Sequence, residues 1–283
     1  LGFYKYIKNN ALPDVDQRLH GIDRGLNWTS GTTGKRIEIM KTLNKALITS
    51  LLSMGLASGA AAYTIDDQGA DQYIGAGANG NDVYGPAAEF QVFGMNVSND
   101  MNYLYVDVDT NFDDVNSIYD FGDLFISIDG WNPFGTAPYA ADDASNGETW
   151  EYAVDVSSLL GGSANLLNLV GASDPVLSSD LFASGVRAGQ EVLAAGDATV
   201  AGSASAAITG NTGDNSVLTN LSFQIALADL GLDALNPQEI GLRWTMTCAN
   251  DITEGSYTVP EPGTLALLGL GLIGLSLRKR AKA

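Results

Sequence analysis

"NYLYVDVDTNF", Asn102 to Phe112, decides the fold class. Leu104, Val106 and Val108 share one side of an extended chain, and Tyr103, Tyr105, Asp107 and Asp109 share the other. That two-residue period is the mark of a strand with one core face and one wet face. The same period runs through "WEYAVDV", which groups Trp150, Tyr152, Val154 and Val156, and through "LSFQIAL", which groups Leu221, Phe223, Ile225 and Leu227. "FQVFGMNV", "GDLFISIDG" and "EIGLRWTMTC" read as further strands, with "EVLAAG" and "TVAGSASAAITG" as weaker ones. Residues 196–216 are poor in bulky apolar side chains and read as a loop or a flat edge strand. "ADLGLDAL" reads as a short helical turn with Asp229 near its start. Together these segments predict an all-β domain over residues 63–259, a single antiparallel β-sandwich of jelly-roll-like type.

Charge divides the chain more sharply than hydropathy does. The full 283 residues carry 14 Lys and Arg against 33 Asp and Glu. Between residues 63 and 259 only Arg187 and Arg243 are basic, against 28 acidic residues, a formal charge of −26. Such a field repels nucleic acid and anionic headgroups and attracts cations and basic partners.

The basic residues gather at the two ends. From Met40, "MKTLNKALITSLLSMGLASGAAAYT" runs from lysines through an apolar stretch to small residues, with Ala60 and Ala62 at A-x-A positions. This is the order of a secretory signal peptide over residues 40–62, a signal helix cleaved between Ala62 and Tyr63. It implies the Sec translocon and signal peptidase as partners during export. Residues 1–39 are expected to be a disordered upstream extension ahead of a start at Met40, the alternative being an unusually long n-region. At the other end, Thr264 to Leu277 is an apolar run of 14 residues. As a helix it would be about 21 Å long against a bilayer core of about 30 Å, a short and therefore transient transmembrane helix. Arg278, Lys279 and Arg280 follow it and favour the cytoplasmic side.

Pro260, Glu261 and Pro262, with the apolar run and "RKR" behind them, resemble the PEP-CTERM sorting signal recognised by exosortases. The resemblance spans residues 260–283. It implies export in a Gram-negative bacterium, an intermediate anchored in the inner membrane, removal of the tail by exosortase near Pro260 to Pro262, and delivery to the cell surface or extracellular matrix. Within the exported domain, strand rhythm and the "ALADLGL" turn weakly resemble β-sandwich modules of the DOMON and family 9 carbohydrate-binding type. "WTMTCAND", Trp244 to Asp251, is similar to the segment that closes a group of exosortase-dependent surface proteins.

The residue inventory removes most enzyme chemistries. The sole histidine, His20, precedes the signal peptide, and residues 63–259 contain no lysine. Ser-His-Asp, Cys-His and Ser-Lys centres, a Schiff-base lysine and a His-ligated zinc each lack a member. Only a paired-carboxylate glycosidase survives, and the reading is non-enzymatic. Cys248, the one cysteine, falls on the core face with Ile240, Leu242, Trp244 and Met246, either as a buried thiol or as an intermolecular disulfide partner. Arg243 falls on the opposite face with Thr245 and Thr247, where it is expected to pair with a surface carboxylate.

Two candidate binding sites follow. Asp107, Asp109, Asn111 and Asp113 occupy the first four odd positions of a calcium loop, although Phe112 and Ile118 stand where that loop needs Gly and Glu. The alternative is a wet strand face leading into an Asx turn. Trp131 or Tyr139, in "GWNPFGTAPY", is a candidate for the exposed ring of a glycan site, although no aromatic platform can be assigned. The expected role is a surface or matrix protein associated with biofilm or anionic exopolysaccharide, the alternative a carbohydrate-binding module with a defined, calcium-assisted glycan site.

Overall fold

The computed structural model describes residues 62–67, 73, 82–115, 117–156, 163–233 and 237–259. The expected extension at 1–39, the expected signal helix up to residue 61 with Ala60, and the tail from Pro260 onward lie outside the described residues. So therefore do Glu261, Pro262, Arg278, Lys279, Arg280 and the expected transmembrane helix. Among the described residues no helix is long and apolar enough to cross a membrane.

The domain is mostly β. Its strands are β1 (Tyr63–Asp66), β2 (Val92–Asn99), β3 (Tyr103–Thr110), β4 (Leu124–Ser127), β5 (Tyr152–Asp155) and β6 (Ala164–Asn168). They continue with β7 (Val176–Leu177), β8 (Glu191–Leu193), β9 (Thr199–Thr209), β10 (Thr219–Ala226), β11 (Gln238–Thr245) and β12 (Ile252–Val259). Short helical turns at Ala87–Phe90 and Ser178–Leu181 precede β2 and follow β7. Leu104, Val106 and Val108 of β3 are fully buried, as are Leu221 and Ile225 of β10, so the alternation read in both segments holds.

Hydrogen bonding is continuous through ten strands, in the order β1-β2-β3-β10-β9-β6-β5-β4-β11-β12, every pair antiparallel. β7 and β8 form a separate two-stranded ribbon. Where a sandwich would divide its strands between two sheets, this one curls until its edges meet, nearly closed like a barrel. β1 and β12 lie alongside one another without a shared ladder. Ile65 of β1 packs on Gly255 of β12, where a Cβ would sit 2.8 Å from Ile65 Cγ2, and the Tyr63 and Tyr257 rings are 6.3 Å apart.

One apolar core fills the curl, drawing on β2, β3, β10, β11 and β12 with Trp244 at its centre. Two smaller clusters lie on the outer side of the sheet. Phe125, Trp150 and Ala153 form one, so Trp150 does not share the core face of Val154 as its spacing suggested. Tyr73, Val192, Ala249 and Ile252 form the other, with Trp131 and Tyr139 packed against them. The outer side of β4, β11 and β12 is therefore covered, not wet.

"TVAGSASAAITG" is the longest strand, β9, and it lies inside the sheet between β6 and β10. Its inward residues are Ala204 and Ala206, small enough to pass beneath the large side chains of β10. Within "ADLGLDAL", Ala228 to Gly231 form turns, and the Asp229 carboxylate rests over Gly202 of β9, where any Cβ would lie 2.5 Å from its Oδ2.

Candidate functional site

Both basic residues of the domain are buried, which places the site. Arg243 is 2% exposed on the outer side of β11, beneath the covering segments. Register sets it opposite Glu254 of β12, and Nη1 donates to Glu254 Oε2 at 2.6 Å. The same nitrogen donates to the Tyr73 hydroxyl at 3.1 Å, Nη2 donates to Gln190 Oε1 at 2.7 Å, and Glu191 Oε2 stands 3.5 Å away. The expected surface pairing of Arg243 is thus corrected: its partners are carboxylates buried with it. Burial alone would lower the Arg243 pKa, but Tyr73, Glu191 and Glu254 more than reverse this and hold the guanidinium charged.

The planar fork ties four separate stretches to one point, which an ammonium could not do. The Tyr73 ring lies over the guanidinium, 5.9 Å from its carbon, and the aromatic pair joins the network through Glu254 and Tyr73. Trp131 donates its indole N–H to Glu254 Oε1 at 2.9 Å and meets Tyr139 edge to face at 5.5 Å, and Tyr139 stacks on Tyr73 at 6.1 Å. Tyr139 takes a φ of +56°, a region that bulky residues seldom enter, in the turn that lays its ring on Tyr73. The structure brings Trp131 and Tyr139, each half-buried, into contact, with one edge of the indole committed to Glu254.

Beside them Tyr73, Asp142, Glu148, Glu191, Arg243 and Glu254 line a closed acidic seam with no room for a ligand. Asp142 is buried, and burial pushes its carboxyl up to about 6. Gly147 makes room for it, since a Cβ there would lie 2.2 Å from Asp142 Oδ1.

Arg187, also 2% exposed, serves a second acidic group at the β11–β12 turn. Its Nη2 donates to the carbonyls of Asp82 and Asn250, and its backbone N–H to Cys248 O at 3.1 Å. Asp251 Oδ2 accepts the Val92 N–H at 2.6 Å and the Gln91 amide at 3.1 Å. Burial pushes Asp251 up to about 8 despite these donors, and burial followed by the charge of Asp251 raises Asp67 well above the carboxylate range.

These contacts explain "WTMTCAND" as a lock. Trp244 donates to Gly122 O at 3.1 Å, Thr245 Oγ1 to Asp251 O at 2.6 Å, and the Asp251 carboxylate holds the start of β2. Cys248 is fully buried, and burial pushes its thiol up to about 12, the opposite of a reactive cysteine.

The calcium candidates do not converge. Asp107 Oδ1 accepts Ser222 Oγ at 2.6 Å, and Asp109 accepts Asn220 at 2.9 Å and Asn96 at 3.3 Å, all on the outer side of β3. The Asn111 amide turns to Ala87 O at 2.8 Å. Asp113 is buried and accepts the N–H groups of Val115, Thr212 and Gly213, fastening one loop to another. Among the described residues no group of three or more His, Cys, Asp or Glu side chains is arranged to hold a metal ion.

Tyr73, Gln190, Glu191 and Asp142 were not legible as site residues. The available signal was scarcity: two arginines in a stretch with 28 acidic residues are the points where buried carboxylates find a cation.

At the C-terminus, the PEP-CTERM protein-sorting motif matches residues 258–281. The chain is thus an exosortase substrate, exported, held by a membrane-anchored sorting signal and sorted to the cell surface. The match begins two residues before Pro260, at Thr258 and Val259, which pair with Glu239 and Gln238 in the last strand. Of the residues expected to flank signal cleavage, Ala62 is exposed and Tyr63 opens β1, adjacent to β12. No curated protein and no solved structure gives a significant match to the chain, and the DOMON and family 9 likeness has no support beyond strand rhythm.

Proposed function

We propose that the domain is a non-enzymatic surface protein that associates with anionic exopolysaccharide in the extracellular matrix of a Gram-negative bacterium, divalent cations bridging its carboxylates to those of the polymer. The observation that carries this reading is the burial of both Arg187 and Arg243. With no other basic residue between 63 and 259, the domain presents water with acid alone. A surface of one sign keeps the protein soluble, repels anionic polymer in the absence of metal, and collects counter-cations. Loose coordination at many exposed carboxylates, calcium among the ions held, requires no preformed cage. The Sec translocon and signal peptidase serve only its export. The test is retention: washing intact cells with EDTA should release the processed protein, and excess Ca²⁺ or Mg²⁺ should prevent release. Unchanged retention after chelation would sink the reading.

A second reading is a carbohydrate-binding module with its site at Trp131 and Tyr139. The edge-to-face pair of half-buried rings favours it. Glycan binding that survives replacement of both rings by alanine would exclude that location.

A further inference from the structure

The outer sides of the sheet differ. Over β4, β11 and β12 it is buried under the Tyr73, Trp131 and Trp150 clusters. Over β2, β3, β10 and β9 none of the three apolar clusters extends onto it, and the side chains there are half-buried or exposed. Register aligns them in rows. Thr64, Asn96, Asp107 and Ser222 stand side by side on β1, β2, β3 and β10, and Asp109 stands beside Asn220 one row on. In the opposite direction come Tyr105 and then Tyr103, whose rings are 6.3 Å apart.

These short side chains fix one another. Thr64 Oγ1 donates to Asn96 Oδ1 at 2.9 Å, Ser222 Oγ is 2.8 Å from Asn220 Oδ1, and Asn96 and Asn220 both donate to Asp109. The Tyr105 hydroxyl donates to Asp100 at 2.9 Å, which steadies its ring. Lys, Arg and Glu are absent from β2, β3, β9 and β10, although long charged side chains are what commonly solubilise an open sheet face. Tyr, Asn and Ser held in place supply rigid amphipathic area and adaptable hydrogen bonding at low entropic cost, and depletion of Lys and Glu marks the centre of recognition surfaces.

Charge then selects the partner. A face with carboxylates and no cation repels an anionic chain. Amides, hydroxyls and carboxylates in alternation match the vicinal hydroxyls of an uncharged sugar, and tyrosine offers a ring to its apolar side. We propose that the outer face of β2, β3 and β10 binds a neutral, hydroxyl-rich polysaccharide, with Tyr103 and Tyr105 stacking on sugar rings and Asn96, Asp107, Asn220 and Ser222 exchanging hydrogen bonds with hydroxyls. This rests on the exopolysaccharide-associated role above and adds a contact that needs no cation.

The experiment titrates the processed protein, in EDTA, with soluble β-glucan, mannan, galactan and alginate. One or more neutral polymers should bind and alginate should not. Tyr103→Ala and Asp107→Asn should weaken binding by about three- to tenfold at unchanged melting temperature, the scale of one ring contact or hydrogen bond. In the unmutated protein, the side-chain amide resonances of Asn96 and Asn220 should shift on titration. The proposal is overturned if no neutral polymer binds, or if the shifts are confined to the Trp131 indole. Release of the protein from cells by EDTA, with no neutral polymer bound in vitro, would retain the cation-bridged role and remove this face. Neutral-polymer binding with retention unchanged by EDTA would do the reverse.

Discussion

Arg243 and Glu254 stand directly opposite one another on β11 and β12, guanidinium to carboxylate at 2.6 Å, on the side of the sheet that alternation assigns to water. Around that pair Tyr73, Gln190 and Trp131 complete a buried network that pins the covering segments to the sheet. Removing one member of a buried ion pair leaves the other charged and unpaired, which costs about 3–5 kcal/mol. Arg243→Met should destabilise the domain by that order in urea unfolding. Arg243→Lys should recover little, because an ammonium cannot reach Tyr73, Gln190 and Glu254 together. A lysine variant as stable as the parent would show that the fork is not what matters.

Buried carboxylates set the pH dependence. Asp251 is pushed up to about 8 and Asp123 to about 6, both foremost by burial, and Asp142 likewise to about 6. Their folded pKa values exceed the unfolded ones, so above about pH 4 the folded domain holds protons that the unfolded chain has released. Stability from these groups is complete below about pH 4 and is lost as pH rises toward 8. Asp197 and Asp214 are shifted the other way, each lowered by a neighbouring serine, so their share is lost as pH falls below about 4. Melting temperature should peak near pH 4–5 and fall steadily to pH 8, and a melting temperature that rises across that interval would count against these assignments.

Cys248 should be silent. A fully buried thiol pushed up to about 12 offers neither access nor thiolate at pH 7. The native protein should not react with a maleimide over hours, should react once unfolded in urea, and should run as one species on a non-reducing gel. A disulfide-linked dimer would contradict the burial.

Gly94 should be hard to replace. It adopts a φ of +122°, and a Cβ there would stand 2.3 Å from Ile65 O, inside the β1–β2 pairing. Gly94→Ala should cost roughly 1–3 kcal/mol and should loosen β1 first. Hydrogen exchange would then show lost protection at Ile65 with β10 unchanged.

Local pattern and long-range pairing differ in how far the chain discloses them. β3 and β10 were legible because large apolar residues alternate with polar ones over a full strand. β9 reads only as a weak strand or a flat edge, and its place inside the sheet is not legible, because Ala204 and Ala206 fill their places under larger neighbours and leave no hydrophobic signature. β12 was missed for a related reason: Glu254, Gly255 and Ser256 interrupt it, the first because it pairs with Arg243 and the second because Ile65 occupies its side-chain space. The same cover hid the site. Arg243 alternates as a surface residue should, and only chain distant in sequence, at Tyr73 and Gln190, removes it from water. Trp131 and Tyr139 are legible as separate candidates in one turn-rich segment, but their contact is not, because it depends on Tyr73 and Glu254 beneath them. Asp107 to Asp113 show acid at regular spacing, but β3 ends at Thr110 and the chain turns there, so Asp113 is buried between two loops instead of joining Asp107 and Asp109 on the outer face.

If an all-acid surface holds the processed protein to anionic polymer through divalent cations, co-sedimentation with alginate gel across a series of free Ca²⁺ concentrations will show it. The bound fraction should rise with Ca²⁺ and return to zero on adding EDTA. Binding of equal strength with and without Ca²⁺, or no binding at any concentration, would contradict it.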